Sequence, residues 1–190
     1  MPLRSMISMA GCKHTPSCDR VILIALGANL PSPAGAPALT LHAALGTLTQ
    51  RNVVVEAVSP LYRSVAWPDP RDPEFVNAVA RVQTGLSPCD LLAVLKETEC
   101  AFGRGSTRRN APRPLDLDIL DYNGRVETGS PSLPHPRLHE RGFVLIPLRN
   151  VAPDWIHPVS GLSVDALIES LPGDARALTK LDEDNRARSE

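Results

Sequence analysis

The chain has 190 residues, 43% of them hydrophobic and 22% charged, a composition that suits one globular domain with a sizeable core. A net charge of −1 gives no global basic field for nucleic acid, and no run approaches the ~20 apolar residues of a membrane span. Cys12, Cys18, Cys89 and Cys100 form no paired C-x-x-C framework, so reduced thiols in a cytoplasmic protein are the simplest reading. Residues 1–20 lack the continuous apolar stretch of a secretory signal and read as a disordered extension. Residues 21–26 are an unbroken apolar run, the pattern of a strand buried on both faces, ended by Gly27. After a proline- and alanine-rich loop, Leu39, Leu41, Leu45 and Leu48 recur at near-helical spacing over residues 38–49. Residues 53–58 are β-branched and predict a strand that continues past Pro60 to Tyr62. Pro68, Pro70 and Pro73 exclude regular structure between residues 67 and 73, and the alternation over 75–84 predicts another strand. Ser87 and Pro88 supply a cap and a first helical residue; Leu91, Leu92, Leu95 and Cys100 line that helix, and Gly103 closes it. Residues 115–122 read as a strand, 143–148 as strand or helix, 162–171 as a short helix, and 174–190 as a frayed polar tail. No repeat or linker divides residues 21–173. The order β-α-β-β-α-β predicts a single α+β domain, a ferredoxin-like antiparallel sheet with helices packed on one face.

The chemistry concentrates between Glu99 and Arg141. Asp116 and Asp118 flank Leu117 in a strand, so both carboxylates lie on one face and repel each other unless a cation sits between them. Mg²⁺ suits such a pair, because it takes few protein carboxylates and completes its shell with water and substrate phosphates. A solvated strand face is the bland alternative. Arg104, Arg108, Arg109 and Arg113 precede the pair in a short loop, and guanidinium groups beside a metal site are what phosphate transfer requires. The same loop could instead be a basic surface paired to the aspartates. Neither G-x-x-x-x-G-K-[ST] nor G-x-G-x-x-G after a strand occurs, which excludes P-loop and protein-kinase cradles. His135 is fixed between prolines, with Arg141 and Phe143 close behind, as a possible phosphate donor. Phe75 and Asn77 share a strand face, where an aromatic beside a carboxamide suits a flat heterocycle as well as it suits an ordinary core.

These pieces, in this order, resemble the 6-hydroxymethyl-7,8-dihydropterin pyrophosphokinase family of folate biosynthesis. The matching stretches are Ala25-Leu-Gly-Ala-Asn-Leu30, Tyr62-Arg63, Phe75-Val-Asn-Ala-Val79, Glu99 with Gly103-Arg104, and Arg109. They continue through Pro112-Arg-Pro-Leu-Asp-Leu-Asp-Ile119, Pro134-His-Pro-Arg137 and Arg141-Gly-Phe-Val-Leu145, covering roughly residues 21–160. The resemblance implies a ferredoxin-like fold and transfer of pyrophosphate from ATP to the pterin hydroxymethyl group, releasing AMP. It implies that Asp116 and Asp118 hold two Mg²⁺ ions and that Arg104 and Arg113 act with them in catalysis. It assigns Glu99, Arg109, Arg113, Ile119, His135 and Arg141 to ATP. It assigns Ser64, Val65, Trp67, Phe75, Asn77, Asp116 and Phe143 to the pterin. A monomer acting on small molecules is expected.

Departures occur in the loop. The family's usual Arg-Trp-Gly-Pro-Arg is Arg109-Asn-Ala-Pro-Arg113 here, and the place of a second loop arginine is Ser106, with Arg108 nearby. Ser64-Val-Ala-Trp67 stands where Thr-Pro is usual, and Trp67 is expected to replace the missing tryptophan as a lid. A D-x-D nucleotide-sugar transferase would need a larger chain. A non-catalytic ferredoxin-like binding module would have no use for the acidic pair beside arginines.

Overall fold

The structure, a computed structural model, describes residues 21–105 and 111–181. Its centre is β1 (Ile22–Ala28), flanked by β5 (Asp116–Tyr122) on one side and β4 (Phe75–Gln83) on the other, both antiparallel. The far edge of β4 is shared by β2 (Val54–Val58) and β3 (Tyr62–Ser64). The order β5-β1-β4-β2, with α1 (Pro37–Thr49) and α2 (Pro88–Ala101) as crossovers, is the expected ferredoxin-like arrangement.

The apolar run of β1 is explained by burial on both faces. Ile22, Ile24 and Leu26 enter one core with Leu41, Leu48, Leu91 and Leu95 of the crossover helices. Leu23 and Ala25 face a second core built by α3 (Gly142–Val151) and α4 (Val164–Ser170). α1 and α2 thus occupy one face as expected, and the C-terminal helices add a layer on the other. The apolar segment 143–148, undecided from periodicity, is helical and rests on the sheet through Val144, Leu145 and Leu148. Gly142 opens α3 because the Ala175 carbonyl passes where a Cβ would stand.

The strand expected from 53 to 62 divides at Ser59-Pro60. Ser59 N donates to Val79 O at 2.9 Å and its Oγ accepts from Val79 N at 3.1 Å, so the ladder is patched where Pro60 has no N–H to give. Beyond Asp174 the expectation of fraying fails for the described residues. A 3-10 turn at Asp174–Arg176 leads into β6 (Thr179–Lys180), which pairs with Tyr62 and Arg63. Ser87 caps α2, accepting from Asp90 N at 3.2 Å, and Gly103 closes it at a φ of 90°. Among the described residues no helix is long and apolar enough to cross a membrane.

Candidate active site

Gly27 sets the register of the site. It pairs with Asn77 on β4 and with Asp116 on β5. A Cβ at Gly27 would stand 3.3 Å from Asn77 Oδ1, 3.7 Å from Phe75 Cδ1 and 4.0 Å from Asp116 Cβ. The missing side chain therefore leaves a gap bounded by an aromatic ring, a carboxamide and a carboxylate. Asn77 donates through Nδ2 to Ser64 Oγ at 2.9 Å, which fixes the amide with Oδ1 toward Gly27.

The two aspartates have different partners. Asp116 is bridged by Arg104 Nη1 at 2.6 Å and Arg113 Nη2 at 2.8 Å. Asp118 has Lys96 Nζ at 3.8 Å and His135 Nε2 at 4.0 Å, both beyond hydrogen-bond reach. Behind them lies Glu99, only 2% exposed. Its Oε1 accepts from Leu117 N at 2.7 Å and Lys96 Nζ at 2.8 Å, with Arg104 Nη1 at 2.5 Å. Burial pushes the Glu99 carboxyl above the usual carboxylate range, against the pull of Lys96, Leu117 N–H and Arg104. Burial works against charge on Arg104, but Asp116 and Glu99 together carry it above its ordinary value. β5 is an edge strand, so the outward N–H and C=O of Leu117 need partners from elsewhere. Glu99 accepts the first and Lys96 donates to the second at 3.1 Å.

His135 Nδ1 accepts from Arg137 N at 3.1 Å, which leaves the neutral ring's proton on Nε2, facing Asp118. Burial lowers its pKa; Asp118 opposes that, and Arg141 and Arg137 add to it, so the ring stays a neutral donor at physiological pH. Burial and neighbouring Arg137 also lower Arg141. Guanidinium groups stack on aromatic rings: Arg113 lies 5.5 Å from Phe75, Arg141 5.5 Å from Phe143, and Arg137 5.1 Å from Trp67.

The fold thus brings together Phe75, Asn77, Ser64, Glu99, Arg104, Arg113, Asp116, Asp118, His135, Arg141 and Phe143. Trp67 is 61% exposed and tied to the 134–141 segment through Arg137; Val65 is exposed as well. Ile119 points into the core beneath α1 and α2, on the face opposite the aspartates. Arg109, Arg108 and Ser106 lie outside the described residues. Lys96, Asn29 and Arg137 were given no site role from sequence, although Asn29 and Arg137 fall within the matching stretches. Lys96 had a signal: in a chain whose other lysines are Lys13 and Lys180, it falls one turn before Glu99. Asn29 is buried, accepts from Arg113 N at 2.7 Å and donates to Pro73 O at 3.0 Å, joining the two loops that frame the gap.

Among the described residues no group of three or more His, Cys, Asp and Glu side chains forms a metal cage. Two partly exposed carboxylates on one strand face are nevertheless a donor set that fits Mg²⁺, whose remaining ligands come from water and phosphate.

Residues 23–153 match the model of the 7,8-dihydro-6-hydroxymethylpterin-pyrophosphokinase (HPPK) family. A 2-amino-4-hydroxy-6-hydroxymethyldihydropteridine pyrophosphokinase from Synechocystis is 40% identical over 120 residues, covering 63% of this chain and 61% of that protein. The protein of the same name from Pseudomonas aeruginosa is 38% identical over 152 residues, covering 80% and 91%. The chain spans 19% of the folic acid synthesis protein FOL1 of Dictyostelium discoideum, at 36% identity over 124 residues. Among solved structures, Plasmodium falciparum HPPK-DHPS superposes with a TM-score of 0.60 at 16% identity, covering 79% of this chain and 40% of that one. At that identity the likeness speaks for the fold.

Proposed function

The chain belongs to the 7,8-dihydro-6-hydroxymethylpterin-pyrophosphokinase family, and we propose that it transfers the pyrophosphoryl group of ATP to the hydroxymethyl group of 6-hydroxymethyl-7,8-dihydropterin, releasing AMP in folate synthesis. The observation that carries this reading is the juxtaposition at Gly27. A slot walled by Phe75 and Asn77 opens beside Asp116, and the acidic pair is flanked by cations, Arg104 and Arg113 on Asp116, Lys96 beside Asp118 and Arg141 nearby, with the neutral His135 ring also facing Asp118.

The pterin ring stacks on Phe75 and Phe143, and the Asn77 carboxamide reads its polar edge. Ser64 holds that amide in orientation. Arg113 and Arg141 turn from their aromatic rings to the phosphates; Arg113 Nε, buried with no hydrogen-bond partner among the described residues, is a donor for that purpose. His135 Nε2–H is a further phosphate donor. Asp116 and Asp118 would hold Mg²⁺, two ions being expected, which neutralises charge on the phosphate oxygens. The pterin hydroxyl oxygen forms a bond to the β-phosphorus and loses its proton, while the bond from that phosphorus to the α,β-bridging oxygen breaks and AMP leaves. Arg104 and Arg113, charged and already aimed at the acidic pair, stabilise the departing negative charge. Glu99 sits too deep for much direct contact, so in this reading it orients Arg104 and Lys96. Trp67 serves as an outer wall. A cytoplasmic location and a monomeric state belong to the same reading, and the free thiols of Cys89 and Cys100 suit a reducing compartment.

The products distinguish this reaction from ordinary kinase or ATPase chemistry. Phosphorus-31 NMR of protein, ATP, Mg²⁺ and the pterin is expected to show AMP and a new diphosphate ester. ADP with a pterin monophosphate would overturn the reading.

A further inference from the structure

The three carboxylates of the site have cationic neighbours before any substrate arrives. Glu99, Asp116 and Asp118 face Lys96, Arg104 and Arg113. Arg104 and Arg113 divide Asp116 between them, whereas among the described residues the permanent cation nearest Asp118 is the Lys96 ammonium. Two anchors hold that ammonium in place, Glu99 Oε1 at 2.8 Å and Leu117 O at 3.1 Å. Its remaining proton has Asp118 Oδ1 at 3.8 Å, too far for a hydrogen bond and near enough for Coulomb attraction. The ammonium is on a helix and under half exposed, so solvent screens it only in part.

We propose that Lys96 is an internal counter-cation for Asp118, which disfavours a divalent ion at the acidic pair in the free protein and makes metal binding depend on the nucleotide. This rests on the acidic pair being the metal site. A divalent cation approaching Asp118 alone meets the ammonium at close range and must share the carboxylate with it. A metal–nucleotide complex brings phosphate oxygens, and these give the ammonium a new partner while the metal takes the aspartates. The anchoring also explains why this cation cannot swing away: leaving would expose Glu99 and strip the Leu117 carbonyl of its donor. Lys96 is in this sense a specificity residue for the metal-loaded nucleotide over the bare ion.

The test measures metal affinity directly, in the full chain, with Mn²⁺ as probe counted by electron paramagnetic resonance of the free ion. Titrations are run with and without α,β-methylene-ATP, for wild type, Lys96→Gln and Lys96→Arg. The glutamine amide still donates to Leu117 O without the charge, and arginine keeps the charge; thermal melts establish that each variant is folded. Without nucleotide, Lys96→Gln is expected to bind Mn²⁺ more tightly by about fivefold or more, with Lys96→Arg close to wild type. With the analogue present the difference shrinks, so the nucleotide–metal coupling is weaker in Lys96→Gln. Unchanged or weaker Mn²⁺ binding by nucleotide-free Lys96→Gln would overturn the proposal and leave the metal-site reading intact. Failure of every protein to bind Mn²⁺ even with the analogue would sink the metal-site reading, and the proposal with it.

Discussion

At Gly27 a single absent methyl group decides what the site can hold. Alanine there would bring Cβ to 3.3 Å from the Asn77 amide oxygen, tight enough to push the carboxamide off its Ser64 hydrogen bond or to narrow the slot. Gly27→Ala is expected to raise KM for the pterin by about tenfold, the cost of one misaligned hydrogen bond, with KM for ATP little changed. Trp67→Ala, on the outer wall, is expected to raise pterin KM less, by about two- to fivefold, the scale of one exposed aromatic contact. Steady-state kinetics on both substrates separates the cases: an unchanged pterin KM in either variant removes that residue from the wall. The sequence exposed Phe75, Asn77 and the aspartates because strand alternation alone puts each pair on one face. It could not expose the role of Gly27, which depends on which residues of β4 and β5 stand beside it.

At the scale of elements, the edge of β5 is the vulnerable feature. An edge strand normally meets water or another strand; here the Leu117 amide and carbonyl are closed by two side chains one turn apart on α2. Glu99→Ala would leave the buried Leu117 N–H unsatisfied and release Arg104 and Lys96 from their shared acceptor. A loss of about 1–3 kcal/mol in urea unfolding is expected, together with a fall in turnover. Stability equal to wild type would show that the carboxylate does not hold the strand. Helix α2 was legible because Ser87, Pro88 and Gly103 mark its ends with specific chemistry. The split between β2 and β3 was not, since it depends on Ser59 making tertiary bonds to Val79. Nor was the helical state of α3, because a run apolar on most sides carries no period; the second hydrophobic cluster decides it.

For the whole molecule, the second face of the sheet carries a polar cluster of its own. Asp121 accepts from Trp155 Nε1 at 2.6 Å, and His157 meets Trp155 and His139 edge to face. Burial, reinforced by His139, holds His157 below its ordinary pKa of 6.5. The unfolded chain therefore takes this proton first, and stability is lost as pH falls through about 6.5 toward the lower folded value. Buried His135 acts in the same direction. Asp121 and Glu99, raised by burial, act oppositely and in a more acidic window. His157 Nδ1 accepts from Val159 N and Ser160 N, both at 3.2 Å, a role an asparagine oxygen can copy. His157→Asn is expected to flatten the fall in melting temperature between about pH 7.5 and about pH 5.5; parallel curves for variant and wild type would contradict this. The ferredoxin-like order was legible because each strand and crossover carries a local signal: the apolar run of β1, the β-branched residues of β2, the alternation of β4, and the leucine spacing or caps of the crossover helices. The layer that covers its second face was only partly legible, because its helices are short and their partners lie far away in sequence.

The most direct measurement is AMP release from ATP and Mg²⁺, with and without 6-hydroxymethyl-7,8-dihydropterin, for wild type and Asp118→Ala. Pterin-dependent AMP in wild type, reduced by about a thousandfold or more in the variant, is the predicted result. AMP that forms without pterin, or a variant as active as wild type, would contradict the assignment of the acidic pair to pyrophosphoryl transfer.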